Sequence, residues 1–336
     1  MAEKQETNYT QGYSKATVAT HASRTVDSDA GFLKPYIEPS DRILDVGCGP
    51  GTITVGFHAL VDGAEGGSVT GVDISDEILA QARETAAAAA AGATTKDAED
   101  NSNSNSDNNT AIEFRKADIL NGLPFADNTF TVVYASQLFP HLPTPAQRST
   151  ALSEMRRVLK PGGILATRDA AELHFYPRHH DLDRLWAERM ACALRRRARS
   201  GLNDCDEDKK EACRLPGGEM PALFRSVGFG CGGSRISGGN SKLLVGAGTT
   251  VHSGPETRQW LAKSLVDRLH PGDPFRESWR NVGITDEEVV QTHGALGRWA
   301  EDEGAWYVAV QAEILGWKSH GPIQSGLQPG DETTLC

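Results

Sequence analysis

The stretch Arg42–Thr54, RILDVGCGPGTIT, decides how the rest of the chain is read. Ile43, Leu44 and Val46 make a short apolar run, and Gly47, Gly49 and Gly51 follow at once. A buried strand that enters a glycine-rich turn, followed by a helix over about residues 52–60, is the first βα unit of a doubly wound sheet. Glycines suit such a turn because the chain bends tightly and a ligand approaching the backbone meets no Cβ. The spacing is G-x-G-x-G, not the G-x-G-x-x-G of dinucleotide folds. Taken alone, the turn is also compatible with a βα connection that binds nothing.

Working outward, SVTGVDIS (Ser68–Ser75) reads as a second buried strand, ending in Asp73. A Rossmann-type sheet places the carboxylate that accepts hydrogen bonds from a ribose diol about twenty residues beyond the turn, and Asp73 lies there. A third strand, IEFRKAD, ends in Asp118, and Asp45 lies inside the end of the first. Acid-tipped strands on one sheet edge point to a nucleoside site at the carboxyl ends of the strands. The plainer role for Asp73 and Asp118 is to cap a turn or helix.

With these residues in view, DVGCGPG, GVDIS, ADILNGLPFADNTF and EMRRVLKPGGIL together resemble the class I S-adenosylmethionine-dependent methyltransferases, and most nearly the ubiquinone/menaquinone-biosynthesis type. The resemblance spans residues 9–168 and continues more weakly to residue 318. It implies an α/β, Rossmann-like sheet of seven mostly parallel strands, helices on both faces and an antiparallel last strand. It divides the chain into an N-terminal helical cap (1–40), a cofactor-binding core (41–170) with an insertion at 93–110, a remainder with a helical acceptor-side insertion (171–320), and a tail (321–336). Thr131 stands where the family usually has Asp.

The same resemblance distributes S-adenosylmethionine over the sheet edge. Gly47, Cys48 and Gly49 would meet its carboxylate end through backbone N–H groups and the helix N-terminus, and Asp45 would orient the loop or receive the ammonium. Asp73 would hold the ribose, with Ile74 on the adenine face. Asp118 and the Ile119 N–H would take the adenine edge, and Ala135 and Ser136 would close the pocket. Cys48 also reads as a small packing residue.

For the methyl acceptor, His141 in SQLFPHL is the candidate general base, because the loop after the fourth strand faces the acceptor. A histidine that satisfies the start of a helix is the competing role. Asp169, His174 and Tyr176, beyond the fifth strand, are further candidates. Tyr13, His21 and Arg24 in the cap would line the pocket or lie on its surface. The group His174, His179, His180, Asp181 and Asp183 is read as no metal site, since adjacent histidines do not readily share a face and no cysteine pair supports them. Trp260, Trp279, Trp299, Trp306 and Tyr307 suit either an apolar acceptor pocket or the core.

Composition bounds the reading. The chain has 336 residues, 38% of them hydrophobic, and carries a net charge of −11, which argues against attraction to a nucleic-acid backbone. The run Arg195–Arg199 sits among acids and reads as a solvated helix face. There is no apolar run of about eighteen residues and no apolar signal core in MAEKQETNYTQGY, and the six cysteines form no C-x-x-C pair. These features predict a cytoplasmic protein with reduced thiols. The segment Ala93–Thr110 is too rich in Asn, Ser and Asp to bury apolar surface and reads as a disordered insertion.

The expected function is methyl transfer from S-adenosylmethionine to a small, apolar or aromatic metabolite, with no nucleic acid and no membrane span. A protein that binds the cofactor without transferring methyl is one alternative. A nicotinamide oxidoreductase is another, opposed by the turn spacing and the absence of a Tyr-x-x-x-Lys pair.

Overall fold

The computed structural model describes residues 15–96, 112–196, 215–230 and 242–320. Tyr13, the remainder of the insertion beyond residue 96, most of the Arg195–Arg199 run, a sixth strand expected near residues 233–237 and the tail lie outside the described residues. In chain order the elements are α1 (Lys15–Ala22), α2 (Val26–Asp29), β1 (Arg42–Val46), α3 (Thr52–His58), β2 (Ser68–Asp73), α4 (Asp76–Lys96), β3 (Ile112–Lys116), β4 (Phe130–Ser136) and α5 (Pro145–Val158). These are followed by β5 (Leu159–Tyr176), α6 (Arg189–Arg196), α7 (Met220–Ser226), β6 (Leu243–His252), α8 (Pro255–Asp267), α9 (Pro274–Asn281), α10 (Asp286–Glu301) and β7 (Trp306–Trp317).

The seven strands form one sheet in the order β3-β2-β1-β4-β5-β7-β6. The pairs β1–β2, β1–β4, β2–β3 and β4–β5 are parallel, whereas β7 runs antiparallel to both β5 and β6. The expected sheet with an antiparallel last strand is therefore present. Strand order reverses at β1, with β2 on one side and β4 on the other, so the crevice of a doubly wound sheet opens at the end of β1. Buried runs explain the central strands: in β1 all residues after Arg42 are buried, and β2 is buried from Val69 to Val72. Two apolar layers cover the sheet, one including Ile43, Phe57 and Tyr134, the other Leu44, Val133 and Met155. A third cluster, built around Trp186, Trp279 and Trp299, lies under the C-terminal helices.

Local chemistry sets several boundaries. Thr25 and Ser28 form a capping box, which starts α2 as a helix separate from α1 within the helical cap. Thr144 with Gln147 and Thr285 with Glu288 start α5 and α10 in the same way. Helix α4 continues to Lys96, past Gly92. Thr131, in the place of the family's usual Asp, accepts the Arg42 N–H at 2.8 Å and so ties β4 to the start of β1.

Three further expectations are corrected. The fifth strand does not end at Arg168 but runs to Tyr176, paired with β7 throughout apart from an irregularity between Ala170 and Glu172. The sequence from Asp181 to Arg199 reads as one long helix, but within it Asp183–Glu188 is a π-helical turn that continues into α6. Cys192 is disulfide-bonded, so the six thiols are not all reduced; Cys48 is a buried free cysteine. Trp279 and Trp299 are core residues with no exposure, while Trp260 and Trp306 are partly exposed. No helix among the described residues is long and apolar enough to cross a membrane.

One buried cation joins the cap to the sheet. Arg168, 2% exposed, donates to Asp29 Oδ1 at 2.7 Å and Glu313 Oε1 at 3.1 Å, and the Tyr134 hydroxyl donates to the Asp29 carbonyl at 2.8 Å. Replacing Arg168 with Met strands the buried Asp29 carboxylate, so the R168M variant should lose about 3–5 kcal/mol of stability. Urea unfolding measures this, and a loss under about 1 kcal/mol would show that the pair contributes little.

Candidate active site

A single cavity opens at the carboxyl ends of β1, β2 and β4. Gly47 and Gly49 in its wall and Gly51 behind them in the same turn adopt φ of 73°, 53° and 81°, the left-handed region that glycine enters without a Cβ penalty. A Cβ on Gly49 would meet nothing within 4 Å, so at that residue the turn presents bare backbone to open space. The N–H groups, however, are engaged within the protein. Those of Gly47 and Cys48 donate to the Val72 carbonyl at 2.8 and 3.0 Å, that of Gly51 to the Cys48 carbonyl at 3.1 Å, and that of Gly49 to Asp73 Oδ2 at 3.1 Å. These four N–H groups are thus engaged within the protein, and at Gly49 the turn offers close approach of its backbone.

Asp45, Asp73 and Asp118 all line this cavity, with Gly47, Cys48, Gly49, Ile74, Ile119 and Ser136. Asp73 also accepts the Ser75 N–H at 3.1 Å, so it braces the turn between β1 and α3 as well as facing the cavity. Asp118 accepts from Leu120 N at 2.9 Å and from Asn121 Nδ2 at 2.8 Å, which is the capping role the sequence allows. Asp45 is 3% exposed and accepts the Thr54 hydroxyl at 2.6 Å, tying the strand end to α3. Burial pushes its carboxyl up to about 7, with the neighbouring Asp73 charge acting in the same direction and the Thr54 hydrogen bond opposing both. Burial likewise raises the Cys48 thiol well above its ordinary range. Ala135 lies buried within β4 and does not line the cavity.

Beyond Ser136 the wall is made by Gln137, Leu138, Pro140, His141 and Leu142. Gln137 has φ of 55°, and its amide both donates to Gln311 Oε1 at 2.7 Å and accepts the Ala170 N–H at 3.2 Å. The loop is thereby fixed to β5 and β7. His141 ends a 3₁₀ turn, Phe139–His141, whose first N–H is held by Asp169 Oδ1 at 3.1 Å. Burial, reinforced by the Arg24 charge, pushes the His141 imidazole down to about 3, so it is neutral at physiological pH. Burial pushes Asp169 up to about 7, and its Oδ2 is buried with no hydrogen-bond partner among the described residues. Asp169 thus sits behind the loop that carries His141 rather than on the cavity wall.

His21 and Arg24 from the cap also line the cavity, and burial lowers the His21 imidazole well below its usual range. His174 and Tyr176 do not. Because β5 continues beyond Arg168, it carries His174 about 16 Å past Asp169 at roughly 3.3 Å per residue. There His174 pairs with Asp183 at 2.8 Å and Glu172 at 3.0 Å, and Tyr176 stacks on Trp306 at 4.4 Å. His179 and His180 do converge, against the expectation for adjacent histidines: their Nε2 atoms lie 3.6 and 2.8 Å from Asp302 Oδ2.

Residues without an assigned role in the sequence complete the cavity. Met190 and Leu194 of α6, with Leu215 and Ala170, add aliphatic side chains to the lining that also holds His141. The four-residue spacing of Met190 and Leu194 places both on one helix face. That signal is present in the sequence but does not distinguish a pocket wall from core.

The methyltransferase-domain family model matches residues 44–167. The Aspergillus luteorubrus protein named "Probable methyltransferase ltbC" is 45% identical over 314 residues, covering 94% of this chain and 98% of that protein. The Schizosaccharomyces pombe "Uncharacterized methyltransferase C1B3.06c" is 30% identical over 311 residues, covering 91% of this chain and 95% of that protein. A demethylmenaquinone methyltransferase of Desulfitobacterium hafniense is 30% identical over 152 residues, 43% of this chain and 50% of that protein. These relationships favour a methyltransferase over a nicotinamide enzyme. Carrying the glycine turn and acid-tipped strands at the switch point of a β3-β2-β1-β4-β5-β7-β6 sheet, the chain belongs to the class I S-adenosylmethionine-dependent methyltransferases, and S-adenosylmethionine is its cofactor.

Proposed function

We propose that the protein transfers the methyl group of S-adenosylmethionine to a small, apolar or aromatic metabolite, with His141 as the proton acceptor. The observation that carries this reading is the mixed lining of one cavity, which holds the acids Asp45, Asp73 and Asp118 together with His141, Leu142, Met190, Leu194 and Leu215. The acids suit a cationic nucleoside, whereas the aliphatic wall suits an apolar acceptor. The demethylmenaquinone methyltransferase among the relatives acts, by its name, on a quinone precursor, a substrate of this general kind.

The cofactor supplies an electrophilic methyl group on a sulfonium. The chain's own residues bind and orient it: Asp73 for the ribose hydroxyls, Ile74 against the adenine face, Asp118 and the Ile119 N–H for the adenine edge. Gly47, Cys48, Gly49 and Ser136 allow close packing along it. Asp45 holds α3 through Thr54 and lends its charge to the amino-acid end. Positioning and exclusion of water supply most of the acceleration. His141, neutral because it is buried, is free to take a proton, but burial and the Arg24 charge that push it down to about 3 also make it a weak base, so it passes the proton on rather than keeping it. Asp169 positions it through the Phe139 N–H.

Three outcomes test this assignment. D73A should bind S-adenosylhomocysteine at least tenfold more weakly, because a charged hydrogen-bond acceptor is lost; unchanged affinity by calorimetry removes Asp73 from the site. H141A should keep that affinity and lose turnover by on the order of a hundredfold, measured with isotopically labelled methyl donor against a panel of phenols, quinones, sterols, amines and thiols.

The third outcome is a pH dependence. In the free protein Asp45 holds its proton up to about 7, whereas unfolded it would release it near its ordinary value. The folded state therefore binds the extra proton between those limits, and stability conferred on the free protein falls as pH rises through that window. A bound ammonium favours the carboxylate, so binding releases the proton below about 7. Affinity for S-adenosylhomocysteine should rise from pH 5 to 7 and then level off, and D45N should flatten the rise. A slope unaltered in D45N assigns it to another group.

A further inference from the structure

Among the described residues, Arg24 is the only Lys or Arg on the cavity wall. It follows α1, is partly buried, and makes no ion pair with any carboxylate among the described residues. Its influence reaches the acceptor lining: its charge acts on His21, His141, Asp169 and Tyr307. The charge that acts on Asp45, at the other lining, is that of Asp73. Both cavity histidines are kept neutral by burial, so Arg24 is the fixed positive charge among the described lining residues, with the buried Arg168 and Arg268 near the cavity but not lining it. A guanidinium in such surroundings gains most from an anionic oxygen, which it can grip with two N–H groups.

We propose that Arg24 is the counter-charge for an anionic oxygen on the methyl acceptor, so that the acceptor is a phenol or enol bound between the Arg24 guanidinium and the His141 imidazole, and the reaction is O-methylation. This rests on the methyl-transfer reading above and names the acceptor class within it. The acceptor hydroxyl passes its proton by way of the His141 imidazole to solvent before the methyl group moves, so no imidazolium persists beside Arg24 and the sulfonium. The oxygen lone pair then forms the O–CH₃ bond as the S–CH₃ bond breaks, and the electron pair of the broken bond stays on sulfur. A phenolate and a sulfonium become a neutral ether and a neutral thioether. Arg24 lowers the cost of the first step, because it stabilises the oxygen anion where little water does. Other charged or titratable groups near this lining are His21, Asp169, Tyr307, Arg168 and Arg268.

The test uses the full-length protein loaded with S-adenosylhomocysteine and 4-nitrophenol as probe, since its phenolate absorbs visible light and its phenol does not. In the wild type, bound 4-nitrophenol should titrate about one pH unit below the free compound, reporting roughly tenfold tighter binding of the anion. R24Q should abolish this shift and leave affinity for S-adenosylhomocysteine within about twofold, while R24K should restore part of the shift. Three results would overturn the proposal: no binding of 4-nitrophenol at millimolar concentration, a bound phenol that titrates at or above the free value, or R24Q weakening S-adenosylhomocysteine tenfold while the shift persists. The last would assign Arg24 to the cofactor's own carboxylate. Failure of the base assignment leaves a different mark: the Arg24-dependent shift stays in H141A, and turnover stays with it.

Discussion

The structure depends on how closely α4 approaches the turn after β1. Gly51 has φ of 81°, and a Cβ there would lie 2.9 Å from the Ala82 Cβ and 3.2 Å from the Phe114 ring. The same ring closes on Gly71 in β2, where a Cβ would fall 2.8 Å from it. Two hydrogen-only positions therefore let Phe114 of β3 and Ala82 of α4 pack against the turn. Cβ atoms in that gap would push the helix off the sheet, and with it the crevice wall that carries Ile74 and Ile78. Close packing of this kind does not relax around an added methyl group. The glycines thus serve the fold as much as the ligand, which is why the N–H groups of the turn can be spent on Val72, Cys48 and Asp73 without weakening the case for a nucleoside site.

The sheet and its acid-tipped edge were legible because each rests on local signals: short apolar runs, glycine punctuation, and an Asp at each strand end. The positions Asp45, Asp73 and Asp118 follow from strand ends alone, whatever their side chains do. The acceptor lining was less legible because its parts come from distant segments. Arg24, His141, Met190 and Leu215 meet only through the order of β4, β5 and the elements packed beside them, and no periodicity encodes that meeting. His174 and Tyr176 were misplaced for a related reason. The sequence LATRDAAELHFY carries no breaker after Arg168, and only pairing with β7 shows that the strand runs on. The π-helical turn at Asp183–Glu188 has no sequence signature distinguishing it from an ordinary helix start.

Arg168 connects these two levels. It lies on β5 next to Asp169, and its guanidinium reaches both Asp29 of the cap and Glu313 of β7. Desolvating three charges is costly, and two carboxylates on one guanidinium recover that cost only with good geometry. What the arrangement provides is register. The cap segment bearing His21 and Arg24 is referenced to the same strand that bears Asp169, and Asp169 in turn fixes the loop bearing His141. A second reference comes from the insertion, where Thr20 of α1 sits 2.8 Å from the Ser264 hydroxyl and takes a hydrogen bond from Arg268. The two sides of the acceptor lining are thus held to a common frame.

That frame gives the cavity an electrical polarity suited to methyl transfer from a sulfonium. The reaction consumes a positive charge, and with an anionic acceptor it consumes a negative one as well. Water stabilises separated charges better than neutral products, so excluding it favours the reaction's course. A cavity that merely excluded water would, however, fail to bind either charged partner. On the proposed assignment, acids over the strand ends and Arg24 under the cap resolve this conflict, because each would offer its opposite charge a fixed partner in place of water. Burial that keeps His21 and His141 neutral belongs to the same design: protonated imidazoles beside Arg24 would repel a sulfonium. Neutral histidines leave the field between the two linings set by Asp45, Asp73 and Asp118 on one side and by Arg24 on the other.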